Sequence, residues 1–409
     1  MGETTELYSR YVSEGLGRLG RLLGGAGESR TIGCELVGDD GKTYLNCGGY
    51  GVFFVGGSHP RVVDAVTEQM CTRALASKVM VDPVLAEASR NLVSAAPHGM
   101  ERVYLSPSGT DAVEVALKLA LAAGHDTIIT CENSFHGKTF GSLALTDNPK
   151  YRAPFASRLA ATTRVPFGDI HALEHCLARS GTRAALFIEP IQSEGGVNLP
   201  PQRYLESVSD LCRQYGAMLI VDEIMTGMGR CGHWWQSAAA RMRPDVLLAG
   251  KGLSGGVIPV AATLATSDAF ACLDTDPYLH TSTFGGTPLQ AAAVTAVLDV
   301  IRDEHLVDRS RTMGAYLLTQ IQEIATRYEC VTAVRGLGLL IGIETRTPGH
   351  AGQLLVEMLD RGVIVNHSLN GSSVVRLTPP AIFEMTHADQ LLTALDEALA
   401  ATSAQHSTS

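Results

Sequence analysis

Residues 217–256 read AMLIVDEIMTGMGRCGHWWQSAAARMRPDVLLAGKGLSGG. Two apolar runs stand out, each ending in charge. Ala217–Val221 leads into Asp222 and Glu223, and Val246–Ala249 leads into Gly250 and Lys251. Short apolar runs bounded by polar and glycine signals are the pattern of buried strands in a parallel sheet. Open α/β sheets hold ligands off the carboxyl ends of such strands. The pattern predicts that Asp222 and Lys251 project into one crevice from two strand ends. A carboxylate and an amine so placed suit a bound group that needs one anionic partner and one covalent anchor. A buried Asp–Lys ion pair is the alternative, because structural pairs also perturb charged groups.

Upstream, the same strand-then-loop pattern recurs. Glu101–Leu105 is a short strand that passes through Ser106-Pro107-Ser108-Gly109-Thr110-Asp111 into a helix over Ala112–Ala123. Small and hydroxyl residues at a helix start leave backbone N–H groups for an anion, or simply cap the helix. Thr127–Cys131 is a strand ending in ENSFHGK, Glu132–Lys138. There Phe135-His136-Gly137 either lays an aromatic face on a flat ligand or puts a core Phe beside a surface His. Ala184–Ile188 is a further strand, and it ends in Glu189-Pro190-Ile191-Gln192-Ser193-Glu194-Gly195-Gly196. Two carboxylates in a glycine-rich loop again suggest a site. Leu205–Tyr215 is the crossover helix before the Asp222 strand.

Toward the amino end, residues 1–30 read as one or two amphipathic helices, with Leu7, Tyr11, Leu16, Leu19, Leu22 and Leu23 as the apolar positions. Glu35–Leu45 reads as a hairpin turning at Asp40-Gly41. Gly48-Gly49-Tyr50-Gly51 follows, with Tyr50 lining a pocket or packing. Downstream, Tyr278–Thr287 (YLHTSTFGGT) is a loop and Leu289–Ile301 a long helix. Beyond it lie a helix over 304–327, strands around Val331–Ile343, a helix over 350–361, and strands Val363–Val365 and Val374–Leu377. Arg376 stands in an apolar strand (VVRL) and needs an anion there, either a substrate carboxylate or a structural Glu or Asp.

Composition excludes several classes. The 409 residues are 45% hydrophobic and 18% charged, ordinary for a globular chain of two domains. A net charge of −10 lacks the basic footprint of a nucleic-acid binder. No apolar run approaches the ~20 residues of a membrane span, and the amino end lacks the apolar core of a signal peptide. Met1-Gly2 opens a myristoylation pattern that Glu6 breaks. Nine scattered cysteines without a C-x-x-C pair suggest reduced thiols in the cytoplasm and no zinc site. The tail Ala400–Ser409 is of low complexity and is expected to fray. Two formal G-x-G-x-x-G matches, Gly15–Gly20 and Gly227–Gly232, are the sole pointer to an NAD-dependent dehydrogenase. The first follows no strand and the second opens no clear helix, so both fail the context a dinucleotide site needs.

In order along the chain, Ser108-Gly109-Thr110, Phe135-His136-Gly137, Glu189-Pro190-Ile191-Gln192, Asp222-Glu223, Lys251, Thr283-Phe284-Gly285-Gly286 and Arg376 resemble the class III (ω-) aminotransferases. The likeness runs from about residue 35 to the end. It implies an α/β protein of PLP fold type I: a large domain with a mostly parallel central sheet, plus a smaller α+β domain. The expected layout is an amino-terminal segment 1–48 packing with the small domain, a large PLP-binding domain 49–287, and a small domain 288–409. The resemblance implies pyridoxal 5′-phosphate (PLP) as cofactor, bonded as a Schiff base to Lys251, which also moves the proton. It implies that Asp222 binds the pyridine nitrogen and that Phe135 stacks on the ring, with His136 beside it. Ser108, Gly109 and Thr110 would hold the phosphate, and Thr283 would reach it from a partner subunit, which implies a homodimer with shared active sites.

Three departures from the family pattern matter. Asp111 stands where Glu is usual. Met225 stands where ornithine- and acetylornithine-type members carry a Gln that donates to the cofactor's phenolic oxygen; a thioether cannot donate. Lys138 replaces an Arg, a point charge in place of a bidentate fork. The likeness is nearest to the putrescine (diamine) aminotransferases. It implies that Tyr50, Lys138, Glu194 and Arg376 contact substrate, with Glu194 neutralising Arg376 for an amine-ended substrate and swinging away for a dicarboxylate. The expected reaction moves an amino group from a diamine or basic amino acid to an α-keto acid such as 2-oxoglutarate, or runs in reverse. An aminomutase or racemase on the same scaffold is the alternative, and it would need no external keto acid.

Overall fold

The computed structural model describes residues 3–406; Met1-Gly2 and the last three residues of the tail lie outside it. A seven-stranded sheet carries the larger part of the chain. Its spatial order is Arg102–Ser106, Ala261–Ala265, Val246–Ala249, Met218–Asp222, Ala184–Ile188, Thr127–Cys131, Thr163–Val165. The last five run parallel, and Ala261–Ala265 is antiparallel to both its neighbours. Sequence reading missed that reversed strand. AATLA has no alternation and little bulk, so its small residues carry no strand signal until neighbours cover both faces. Every residue of Ala184–Ile188 and Met218–Asp222 is buried, as befits strands sandwiched between helices. The parallel strands set their carboxyl ends along one edge, and that edge is where the site forms.

Several of the helices begin on polar caps. Ser108 accepts from the N–H of Asp111 at the head of the helix Gly109–Ala122. Asp82 caps Pro83–Ala95, and Thr287 with Gln290 makes a reciprocal capping box at the start of Pro288–Asp303. That last helix packs against Pro60–Arg73 and Pro83–Ala95.

Two smaller sheets complete the fold. Val331–Leu337, Leu340–Thr345, Val374–Leu377 and Asn366–His367 form an antiparallel sheet in that order. Glu28–Ile32, Glu35–Gly38 and Thr43–Asn46 form a meander whose last strand pairs in parallel with Val363–Ile364. The amino-terminal meander is thus paired with a strand far along the chain, Leu45 standing opposite Val363 and Asn46 opposite Ile364.

Two expectations are corrected. The helical reading of residues 1–30 holds for Glu3–Tyr11 and Glu14–Leu22, but Glu28–Ile32 is a strand. The apolar positions of those two helices are exposed in the single chain, Tyr11 at 70% and Leu22 at 69%. Over its described residues the tail is not frayed: the helix Met385–His406 runs through Ala400, and Thr402 is buried. Its cue was hidden because the tail is polar by composition, while burial there comes from what the helix packs against.

Candidate active site

A cavity of about 240 Å³ opens at the carboxyl edge of the large sheet. It is bordered by the helix start Ser108–Thr110, by Phe135–Gly137, by the loop that carries Glu189, Ser193 and Glu194, by Asp222 and Ile224–Thr226, and by Lys251. Asp222 is the last residue of its strand and is buried. One of its oxygens accepts the N–H of Ile224 at 3.1 Å, and the other lies 2.7 Å from Nδ1 of His136. His136 is itself buried, and its Nε2 has no partner among the described residues. The surface-histidine reading of residue 136 is therefore overturned. Burial, the largest single influence on that imidazole, disfavours its charge. The hydrogen bond and charge of Asp222, with help from Glu189, outweigh burial and hold the histidine above its ordinary value.

Lys251 follows the neighbouring strand and adopts a left-handed backbone, φ 43°. A residue with a side chain persists there only where its surroundings over-determine it. Its carbonyl accepts the Ser254 hydroxyl at 2.8 Å, which helps to hold the turn. Burial pushes the amine below its ordinary value and Arg376 adds to that, against the opposing charges of Glu194, Asp222 and Glu189. Gly51 must be a glycine: its φ is +77°, and a Cβ there would meet Sδ of Met225 at 2.7 Å.

The helix start supplies donors. Backbone N–H groups in a helix's first turn have no intrahelical acceptor, and the dipole favours an anion before them. Gly109 comes so close to Ile224 that a Cβ would sit 2.8 Å from its Cδ1. The Thr110 hydroxyl joins those of Thr139 and Ser142 at 2.9 and 2.6 Å.

Across the cavity, Arg376 and Glu194 meet at 2.7 Å, both buried. The same Nη1 also donates to the Ser193 hydroxyl at 3.1 Å, while Nε and Nη2 have no partner among the described residues. Burial is the largest influence on Glu194 and would raise its pKa. Arg376, Lys251 and the Leu369 N–H together hold it below the ordinary value. The anion that Arg376 meets in the fold is thus Glu194.

The chain matches the family model "Aminotransferase class-III" over residues 27–399. The chain belongs to the class III aminotransferases. It is 39% identical over 367 residues to a putrescine aminotransferase of Pectobacterium atrosepticum, covering 87% of this chain and 78% of the relative. It superposes on the ornithine aminotransferase of Toxoplasma gondii with a TM-score of 0.88 at 28% identity, covering 93% of this chain and 92% of the other. On the acetylornithine aminotransferase of Elizabethkingia anophelis the TM-score is 0.80 at 30% identity, covering 92% and 94%. The aminotransferase is PLP-dependent, of fold type I. Its cavity fits that cofactor on its own chemistry: an anion-holding helix start, a buried carboxylate backed by an imidazole, an aromatic side chain and an amine border one space.

Not every residue singled out from the sequence borders the cavity. Ser108, Gly109, Thr110, Phe135, His136, Glu194, Asp222, Met225 and Lys251 do. Arg376 reaches it through Glu194 and Ser193. Tyr50 is 53% exposed, with a left-handed backbone. Lys138 is exposed at the rim, its ammonium 3.9 Å from the Tyr151 ring centroid and 5.8 Å from that of Phe135. Thr283 is exposed, away from the cavity of its own chain. Glu189 and Ser193 border the cavity without having been singled out for a role. Glu189 is buried and accepts the N–H of Phe135 at 2.9 Å and that of Ser193 at 3.3 Å. Burial, above all, pushes its carboxyl up to about 7. The signal for it was a charged residue directly after an all-apolar strand, the same signal that marks Asp222.

Proposed function

We propose that the aminotransferase takes the terminal amine of a diamine or basic amino acid and passes it to a dicarboxylic keto acid such as 2-oxoglutarate, or runs the reverse. The observation that carries this reading is the buried Glu194–Arg376 pair on the wall of the cavity that Lys251 and Asp222 border. PLP, when bound, supplies an electron sink for the carbanion left by proton removal. Lys251 would anchor it covalently and, once the substrate's amine has displaced it, the freed amine, kept neutral by burial, would move the proton at the reacting carbon. Asp222 keeps the ring nitrogen protonated, with His136 holding the carboxylate in place. Phe135, on the cavity wall, would pack against the ring. Ser108, Gly109 and Thr110 hold the phosphate. Met225 offers an apolar contact where a donor stands in some relatives.

Arg376 receives the carboxylate of the keto acid, and Glu194 neutralises the arginine when the incoming group is an amine. Lys138 and Tyr50 meet the far end of the substrate at the rim. The relative named for putrescine supports the diamine arm of this reading. A second copy of the chain completes the site through Thr283. In support, Val79, Met80 and Val81 are 80–96% exposed and Tyr278 83%. These loops lie together, since Lys78 donates to the carbonyl of Gly285 at 2.8 Å. An apolar surface of that kind is ordinarily covered by a partner. The free thiols of its nine cysteines suit the cytoplasm.

The test is the visible spectrum of the purified protein with putrescine, ornithine, lysine and glutamate added separately. Loss of the yellow band with one of the first three, and its return with 2-oxoglutarate, is the expected result. Loss with glutamate alone would mean that the reaction aminates an unknown carbonyl compound. Turnover of an amine without any keto acid would mean an isomerase.

A further inference from the structure

Glu194 is held from a direction that the arginine pair does not explain. Its Oε1 faces Arg376, but its Oε2 accepts the backbone N–H of Leu369 at 2.9 Å. Its own carbonyl accepts the N–H groups of Asn370 and Gly371 at 2.9 and 3.1 Å. The hydroxyl of Ser368 adds a bond to the carbonyl of Ser193 at 3.3 Å. Four consecutive residues of one turn thus grip two consecutive residues of the Glu194 loop, about 175 positions earlier in the chain.

The turn is in turn pinned to the loop that carries Phe135. The side-chain amide of Asn370 donates to the carbonyls of Ser134 at 3.0 Å, Asn133 at 3.2 Å and Asp147 at 3.4 Å. Its oxygen accepts from Nδ2 of Asn148 at 2.9 Å, and Asn148 also donates to the carbonyl of Leu369 at 3.3 Å. Gly371 lets the two loops come this close, since a Cβ there would lie 2.9 Å from Cα of Gly196 and 3.1 Å from the carbonyl of Gly195. Those are backbone atoms, which cannot turn aside.

We infer that the turn Leu369–Gly371 is a second latch on the Glu194 gate, and that Asn370 is the positioning residue that sets how readily a dicarboxylate displaces Glu194 from Arg376. The inference rests on the gate proposed above. A carboxylate that takes Arg376 must free Glu194 from the Leu369 N–H as well as from the guanidinium. Hydrogen bonds to charged groups are the stronger kind, so the latch biases the pocket toward amine-ended substrates. Loosening the turn lowers the barrier to the open position and weakens the closed one. The two substrates therefore respond in opposite directions, which loss of structure alone does not produce.

The experiment measures both half-reactions on the holoenzyme by the rise and fall of the yellow band. The donor is whichever of putrescine, ornithine or lysine the spectral assay selects, and the acceptor is 2-oxoglutarate. Asn370→Ala is expected to lower KM for 2-oxoglutarate and raise KM for the donor, shifting their ratio roughly fivefold or more. Asn148→Ala, which leaves the turn's own residues intact, is expected to shift it the same way by less. An unchanged ratio in both variants, or equal loss of both half-reactions, overturns the latch. If Asn370→Ala does not fold, the Asn148→Ala result decides. Glu194→Gln separates the two readings. If it leaves the ratio unchanged, the gate is wrong and the latch falls with it; if it shifts the ratio while Asn370→Ala and Asn148→Ala do not, only the latch is wrong.

Discussion

The floor of the cavity and its far wall solve the same problem in different ways. Both bury charge. On the floor, Asp222, Glu189 and Lys251 stand at or just past strand ends of one sheet, and their partners come from adjacent loops. On the wall, Glu194 meets Arg376 and Leu369, which belong to the small antiparallel sheet and the turn beside it. A group rooted in a rigid sheet keeps one geometry. A pair that joins segments far apart in the chain has two separable halves. Chemistry that must not vary between substrates suits the first, and discrimination between substrates suits the second.

Four substitutions test this contrast, from the largest expected effect to the smallest. Lys251→Ala on the floor should lower turnover about 10⁴-fold or more for every substrate pair, measured as steady-state kcat. Turnover within tenfold of the parent would remove the floor from the chemistry. Asp222→Asn keeps the shape and removes the charge, and should cost about 10²–10³-fold in kcat with both donor and acceptor. A loss confined to one substrate would erase the distinction between floor and wall.

Arg376→Lys on the wall should be selective. It keeps a cation beside Glu194 but gives up the fork, so KM for 2-oxoglutarate should rise roughly 10- to 100-fold while the donor half-reaction changes little. Equal changes in the two would assign the pair a structural role. Glu189 gives the smallest effect, and it appears in stability. Its carboxyl is raised in the fold from 4.5 to about 7. Between those values the unfolded chain has lost the proton while the folded one keeps it. Unfolding free energy from this group therefore falls as pH rises, by about 1.4 kcal/mol per unit. Glu189→Gln should flatten the dependence between pH 5 and 7, read from urea midpoints. A slope identical to the parent's would mean that Glu189 does not titrate there.

The contrast between floor and wall also governs how much could be read in advance. VLLAGK and MLIVDE announce buried strands with charge at their ends, because a charged residue after an apolar run has few places to go except the end of a sheet. Thr127–Cys131 and Ala184–Ile188 were legible for the same reason, and their bounds agree with the fold to the residue. Arg376 was legible as a cation in need of an anion, since VVRL has no other way to tolerate it. Which anion was not legible from the strand itself. From the residues alone a substrate carboxylate and a structural Glu or Asp both stayed open; the family resemblance pointed to Glu194, and the fold brings it to 2.7 Å. Asn370 carried no signal at all: in sequence it is one polar residue in a polar turn, and its weight comes from three carbonyls contributed by residues 133, 134 and 147.

The amino-acid sequence by itself determined the parallel sheet, the positions of Asp222 and Lys251 at its edge, and the helix start that faces them. Each follows from local periodicity and from the cost of burying charge within a few residues. Tertiary structure alone decided that His136 is buried against Asp222, that Ala261–Ala265 runs backwards through the sheet, and that Glu194 is held from two sides. The physical reason is the same in each case. These facts are contacts between segments distant in the chain, and their free energy exists only once both segments are in place.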